Sequence, residues 1–166
     1  TRLFGSWNHG LFQTPSAWTD AAHRNGTDMY SGIKFFDTTG NPGGVSSAEW
    51  RALIATKNSD GTYKYVDPII NCLMYFGVDG INFNWEDTSY ANKEVIEFHQ
   101  ALNKKAAENG FNNFHMGIYT AVQGLTTANV SALYGDSKGR TCDFFANYSA
   151  GDFAWARMDN TAKTAI

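Results

Sequence analysis

The run VDGINFNWED, residues 78–87, alternates apolar and polar residues and reaches a carboxylate at Glu86. In a strand, side chains two apart share a face. Asn82, Asn84 and Glu86 then form one series, and Ile81, Phe83 and Trp85 the other. A carboxyl group at a strand end, partly desolvated, has a raised pKa and suits general acid work. Two amides beside it can hold a polar substituent. Read from the residues alone, an equally good account makes Asn82 and Asn84 satisfied interior amides and Glu86 a solvated strand-end residue.

The elements that must position this series alternate in type. Residues 2–7 read as a short strand. Residues 14–26 read as a helix with a Thr14 cap, Pro15 in the first turn and Gly26 at the C-terminal end. A strand over 28–36 and a Gly/Ser-rich loop over 38–47 follow. Helices are predicted over 48–57, 65–77 and 91–110, the last with Val95, Phe98, Leu102 and Ala106 on one face. Strands are predicted over 80–86, 113–121 and 141–149. About five strands alternate with helices and no hairpin is evident, which predicts βα units and a parallel sheet. A doubly wound sheet would suit five strands, but no GxGxxG or phosphate-binding loop follows any of them. A (β/α)8 barrel takes roughly 250 residues, so this chain of 166 residues would form part of one. No repeat or second-domain boundary is visible, and residues 1–166 are taken as one partial barrel domain.

Composition narrows the function classes. The chain is 43% hydrophobic, 15% aromatic and 17% charged, with a formal net charge of -3. This is globular and slightly acidic, with no basic run for a nucleic-acid partner. No stretch approaches a membrane span of roughly 18 apolar residues. Residues 1–10 are not a signal peptide, and without an initiator Met the chain reads as an internal or processed segment. Cys72 and Cys142 are far apart and read as two buried free thiols; no metal-ligand spacing exists. The aromatic share suits sugar stacking and a rich core equally. Asp79 reads as a turn or cap residue. His23 and Arg24 end a helix and read as structural, since cations there complement the helix dipole.

The segment DGINFNWE resembles the DGxDxDxE strand of family 18 glycoside hydrolases with Asn at both inner Asp positions. The Asn-x-Glu form is that of the endo-β-N-acetylglucosaminidases of glycoside hydrolase family 85. The likeness extends to GSWNHGLFQTPSAWTDAAHRNG (5–26), to MGIYTAV (116–122) and to DFFANYS (143–149), and covers about residues 4 to 150. It implies a TIM barrel of which this chain covers the middle strands, about the second to the sixth. The remainder of the barrel would come from sequence outside this chain or from another chain.

The family resemblance also implies a chemistry. In substrate-assisted hydrolysis of N-acetylglucosaminides, the sugar's own 2-acetamido oxygen attacks the anomeric carbon, an exception to the two-carboxylate scheme. Glu86 is then the acid and base, Asn84 holds the acetamide, and Tyr119 adds a hydroxyl contact. Trp7, His9, Asn82 and Asn147 are the substrate-binding candidates, with no metal and no cofactor. The family's Trp before that Tyr is Ile118 here, and the Asp after it is Thr120. The implied substrate is an N-glycan, cut within its N,N'-diacetylchitobiose core; a secreted or periplasmic setting is favoured and a cytoplasmic one stays open. Two other readings stand beside it: a family 18 type chitinase or endoglycosidase, and a non-catalytic lectin-like barrel that binds N-acetylglucosamine.

Overall fold

The computed structural model describes residues 1–5, 14–34, 46–85, 89–120 and 134–147. Of the four α-helices among the described residues, only one has a side-chain N-cap bond. Helix α1, Ser16–Arg24, starts one residue later than the sequence implies: Pro15 itself stands at the cap with no side-chain bond, and Thr14 is buried before it. Helix α2, Ser47–Ile54, has a capping box, in which Ser46 and Glu49 satisfy each other's backbone N–H groups. Helix α3, Val66–Phe76, ends on Gly77 at φ 69°, a left-handed position that costs glycine little. Helix α4, Lys93–Glu108, follows a 3-10 turn over Ser89–Ala91.

Strands β1 (Leu3–Gly5), β2 (Asp28–Lys34), β3 (Gly80–Trp85), β4 (His115–Thr120) and β7 (Phe144–Asn147) form one sheet in the order β1-β2-β3-β4-β7. Every neighbouring pair is parallel. Each strand lies beside its predecessor in the parallel series, so the order never reverses. A doubly wound sheet requires a reversal, whereas one-directional winding is that of a barrel. The sheet curls as half a barrel.

One core seals the helix side. Met29 and Ile33 of β2, Ile81, Phe83 and Trp85 of β3, and Met116 and Ile118 of β4 pack with residues of the helices. Those are Trp50 and Ile54 of α2, Ile69, Ile70 and Leu73 of α3, and Val95, Phe98, Leu102 and Ala106 of α4. The predicted stripe of α4 is buried as expected. Burying a large apolar side chain contributes about 1.5–3 kcal/mol, so β3 is pinned in register by Ile81, Phe83 and Trp85. A one-residue slip would exchange its two faces.

A hairpin that the sequence pattern did not suggest precedes β7. Strands β5 (Gly135–Asp136) and β6 (Gly139–Arg140) pair antiparallel. Asp136 Oδ1 accepts from the Lys138 N–H at 2.8 Å and closes the turn. The hairpin docks on α4. Gln100 Nε2 donates to Asp136 Oδ1 at 2.9 Å, and Asn103 Nδ2 donates to the Arg140 and Thr141 carbonyls at 2.9 and 3.1 Å. This docking sets where the chain enters β7.

Candidate active site

Register fixes which side chains are neighbours across the sheet. Gly32, Asn82, Gly117 and Phe144 stand in one row. Two residues further along, Asn84 and Tyr119 are register partners on the same face, with Lys34 and Ala146 as their backbone neighbours on β2 and β7. In the intervening row, Ile33, Phe83 and Ile118 belong to the helix side. Asn82 and Asn84 therefore face the barrel interior, as the alternation predicts. They are 6% and 2% exposed, so these amides are interior groups rather than surface ones. Tyr119 is half-buried.

Asn84 and Tyr119 are brought side by side on adjacent strands. Side chains directly opposite on neighbouring strands stand about 5 Å apart at Cβ, within reach of one small polar group held between them. Asn82 lies one row deeper, and its Oδ1 has no hydrogen-bonding partner. Asn147 falls elsewhere. Its register partner is Thr120, which pairs with Trp85. Asn147 thus shares the row of Trp85, one step off the row of Asn84 and Tyr119. The hydrogen bond from Asp143 N–H to the Met116 carbonyl, 2.7 Å, sets that parity. Glu86, Trp7 and His9 lie outside the described residues. Glu86 follows Trp85, the last residue of β3, directly in sequence.

The opposite end of the strands is tied by charged groups. Asp79 accepts the Met29 N–H at 2.8 Å and the His23 ring nitrogen at 2.6 Å. Asp79 is thus the turn residue expected, and His23 has a structural partner. Asp28 of β2 meets His115 of β4 at 2.9 Å, spanning β3 at Gly80. A Cβ on Gly80 would run into the His115 carbonyl. The Asp-Gly pair leading into β3 is therefore explained by strand docking at the end away from Glu86.

Sequence reasoning did not single out Gly32 and Gly117, which flank Asn82, or Lys34, in the row of Asn84. Their relevance depends on register between segments that are distant in sequence. Behind β3, His99 of α4 is fully buried against Phe83, ring centroids 4.7 Å apart. Burial pushes its pKa down to about 3, so it is a neutral wall residue. A cleft of about 580 Å³ lined by Asp60, Tyr63, Asp67 and Lys105, among others, lies at α3 and α4. None of its lining residues lies on β3 or β4, and Lys105 pairs with Asp67 there at 3.1 Å.

Among the described residues no group of three His, Cys, Asp or Glu could hold a metal ion, and no helix is long and apolar enough to cross a membrane. Neither cysteine forms a disulfide; Cys142 is buried, Cys72 only half-buried. Burial is the main cause holding the Cys142 thiol at about 12.

Comparison with known proteins agrees with this architecture. The model of glycosyl hydrolase family 85 matches residues 2–163. Among solved structures, the chain is similar to a GH18 chitinase from Pseudoalteromonas aurantia, with a TM-score of 0.50 and 12% identity. That match covers 83% of this chain and 50% of the chitinase, so the chain spans about half its length. At this identity the likeness is one of fold. A putative alpha amylase from Salmonella typhimurium aligns with a TM-score of 0.38 and 20% identity, over 80% of this chain and 24% of that one. Among curated proteins none matches significantly.

Proposed function

The chain belongs to glycosyl hydrolase family 85, and from that premise we propose that it carries the catalytic strand of an endo-β-N-acetylglucosaminidase. The substrate is an N-linked glycan, cut at the β-1,4 bond of its N,N'-diacetylchitobiose core with retention of configuration. The observation that carries this reading is the shared row of Asn84 and Tyr119, two residues before Glu86 in sequence on the Asn84 side.

The chemistry needs one acid, because the substrate supplies the nucleophile. The 2-acetamido oxygen of the sugar forms a bond to its own anomeric carbon. The glycosidic C–O bond breaks, and Glu86 delivers its proton to the departing oxygen. Asn84 Oδ1 accepts from the acetamide N–H, which favours the charge that develops there. The Tyr119 hydroxyl donates to the acetamide oxygen and aligns it for attack. Water then adds to the anomeric carbon, opening the oxazoline ring and returning a proton to Glu86. Binding and orientation are the main protein contributions besides that proton transfer. Trp7 and His9 are proposed as further substrate contacts at the mouth. Asn82 lies beneath, at the end of the acetamide.

Glycan release by the intact protein, compared with its Glu86→Gln variant, tests the reading. Release of N-glycans from a glycoprotein should fall at least about 100-fold, the usual range for losing a general acid. Unchanged release would remove Glu86 from the mechanism. Activity on chitin oligomers alone would replace the N-glycan assignment with a chitinase one.

A further inference from the structure

Three features meet at the row beneath Asn84 and Tyr119. Asn82 is the sole residue with a side chain in the three-strand run Gly32–Asn82–Gly117. It is 6% exposed, and its Oδ1 has no partner. The row continues to Phe144 on β7. An interior amide with open hydrogen-bonding capacity costs stability, and such groups generally find a partner. The two glycines bring no Cβ to either side of it.

We propose that Gly32, Asn82 and Gly117 form an acyl pocket that favours N-acyl sugars ending in a hydroxyl group over equally long apolar ones. The proposal rests on the reading that Asn84 and Tyr119 hold the 2-acylamino group. With that amide held in their row, its acyl end points down the strand towards Asn82, two residues or roughly 7 Å deeper. An acetyl methyl has no group with which to meet the amide. An N-glycolyl group, one hydroxyl longer, has a donor and an acceptor at its end, and matches either orientation of the Asn82 amide. An N-propionyl group has the same length and shape but leaves the amide unpaired. A site that presents a buried polar group to a hydroxyl discriminates strongly against the analogue lacking it.

The test uses three chitobiosyl glycopeptides that differ only in the acyl group of the sugar at the scissile bond: N-acetyl, N-glycolyl and N-propionyl. With the intact protein, kcat/KM for the glycolyl substrate should exceed that for the propionyl substrate by at least about tenfold. In Asn82→Leu, the ratio should fall to about one or invert. Turnover of the N-acetyl substrate with equal glycolyl and propionyl rates would overturn the acyl pocket and leave the glycosidase reading standing. So would a ratio unchanged by Asn82→Leu. No turnover of the N-acetyl substrate would overturn both. The comparison of substrates on the unaltered protein decides the question even where the variant fails to fold.

Discussion

Asn84 on β3 and Tyr119 on β4 are register partners on the interior face, although 35 positions separate them in the chain (119 minus 84). Neither strand alone defines a site. The parallel pairing of Gly80–Trp85 with His115–Thr120 converts two unremarkable polar residues into adjacent ones. Ile81, Phe83 and Trp85, all fully buried on the other face, hold that pairing against a slip.

If the pair acts on one acetamide, its two members should be coupled. Asn84→Ala should lower hydrolysis of the natural glycan by about 100- to 1000-fold, while transfer from a preformed oxazoline donor, which bypasses ring formation, should persist. Tyr119→Phe should lower kcat by about 10- to 100-fold with little change in KM, the pattern for a contact strengthened in the transition state. The double variant should lose less than the product of the single losses, because neighbouring groups acting on one atom set are not additive. Independent, multiplicative losses in a kinetic double-mutant cycle would separate the two residues functionally.

His99 supplies a pH dependence that is separate from catalysis. Its ring lies against Phe83, neither nitrogen has a partner, and burial holds its pKa near 3 against an ordinary 6.5. The unfolded chain takes a proton below about pH 6.5, while the folded imidazole stays neutral until about pH 3. Stability from this group is therefore complete above the unfolded pKa and falls with pH between these values, by at most about 1.4 kcal/mol per unit. His99→Phe should remove that slope. Urea unfolding at pH 7 and pH 5 checks it: the stability lost on acidification should be about 2 kcal/mol smaller in the variant. An identical loss in both proteins would mean His99 is solvated on the folded side.

The parts of this fold that were legible are those where period and burial agree. Strand β3 was legible because strict alternation met a fully buried helix-side face, and α4 because its stripe recurs at helical spacing. The β5–β6 hairpin was not, since GDSKG (135–139) has turn residues but no alternating apolar residues to announce strands. Asn147 could not be given a face from its own segment, because strand parity is set by pairing with Met116 through Thr120. The glycines beside Asn82 were invisible for the same reason. Single-strand patterns reveal faces; only register between strands reveals rows.

That distinction predicts that two adjacent motif residues are structural. Asp79 and Gly80 lead directly into the strand that ends before Glu86, and in sequence they could pass for part of the catalytic machinery. Asp79 instead accepts Met29 N–H and the His23 ring, joining β2 and α1 to the start of β3. Asp79→Ala would strand the Met29 N–H and should cost about 1–3 kcal/mol of stability. Gly80→Ala would press a methyl group onto the His115 carbonyl beneath the Asp28–His115 contact, with a penalty of about 1–3 kcal/mol or more. Both variants should keep kcat/KM within about threefold of the parent wherever they remain folded, since neither residue is in the row of Asn84 or next to it. Denaturant unfolding read alongside glycan release checks this. A large fall in kcat with unchanged stability in Asp79→Ala would return that carboxylate to the reaction.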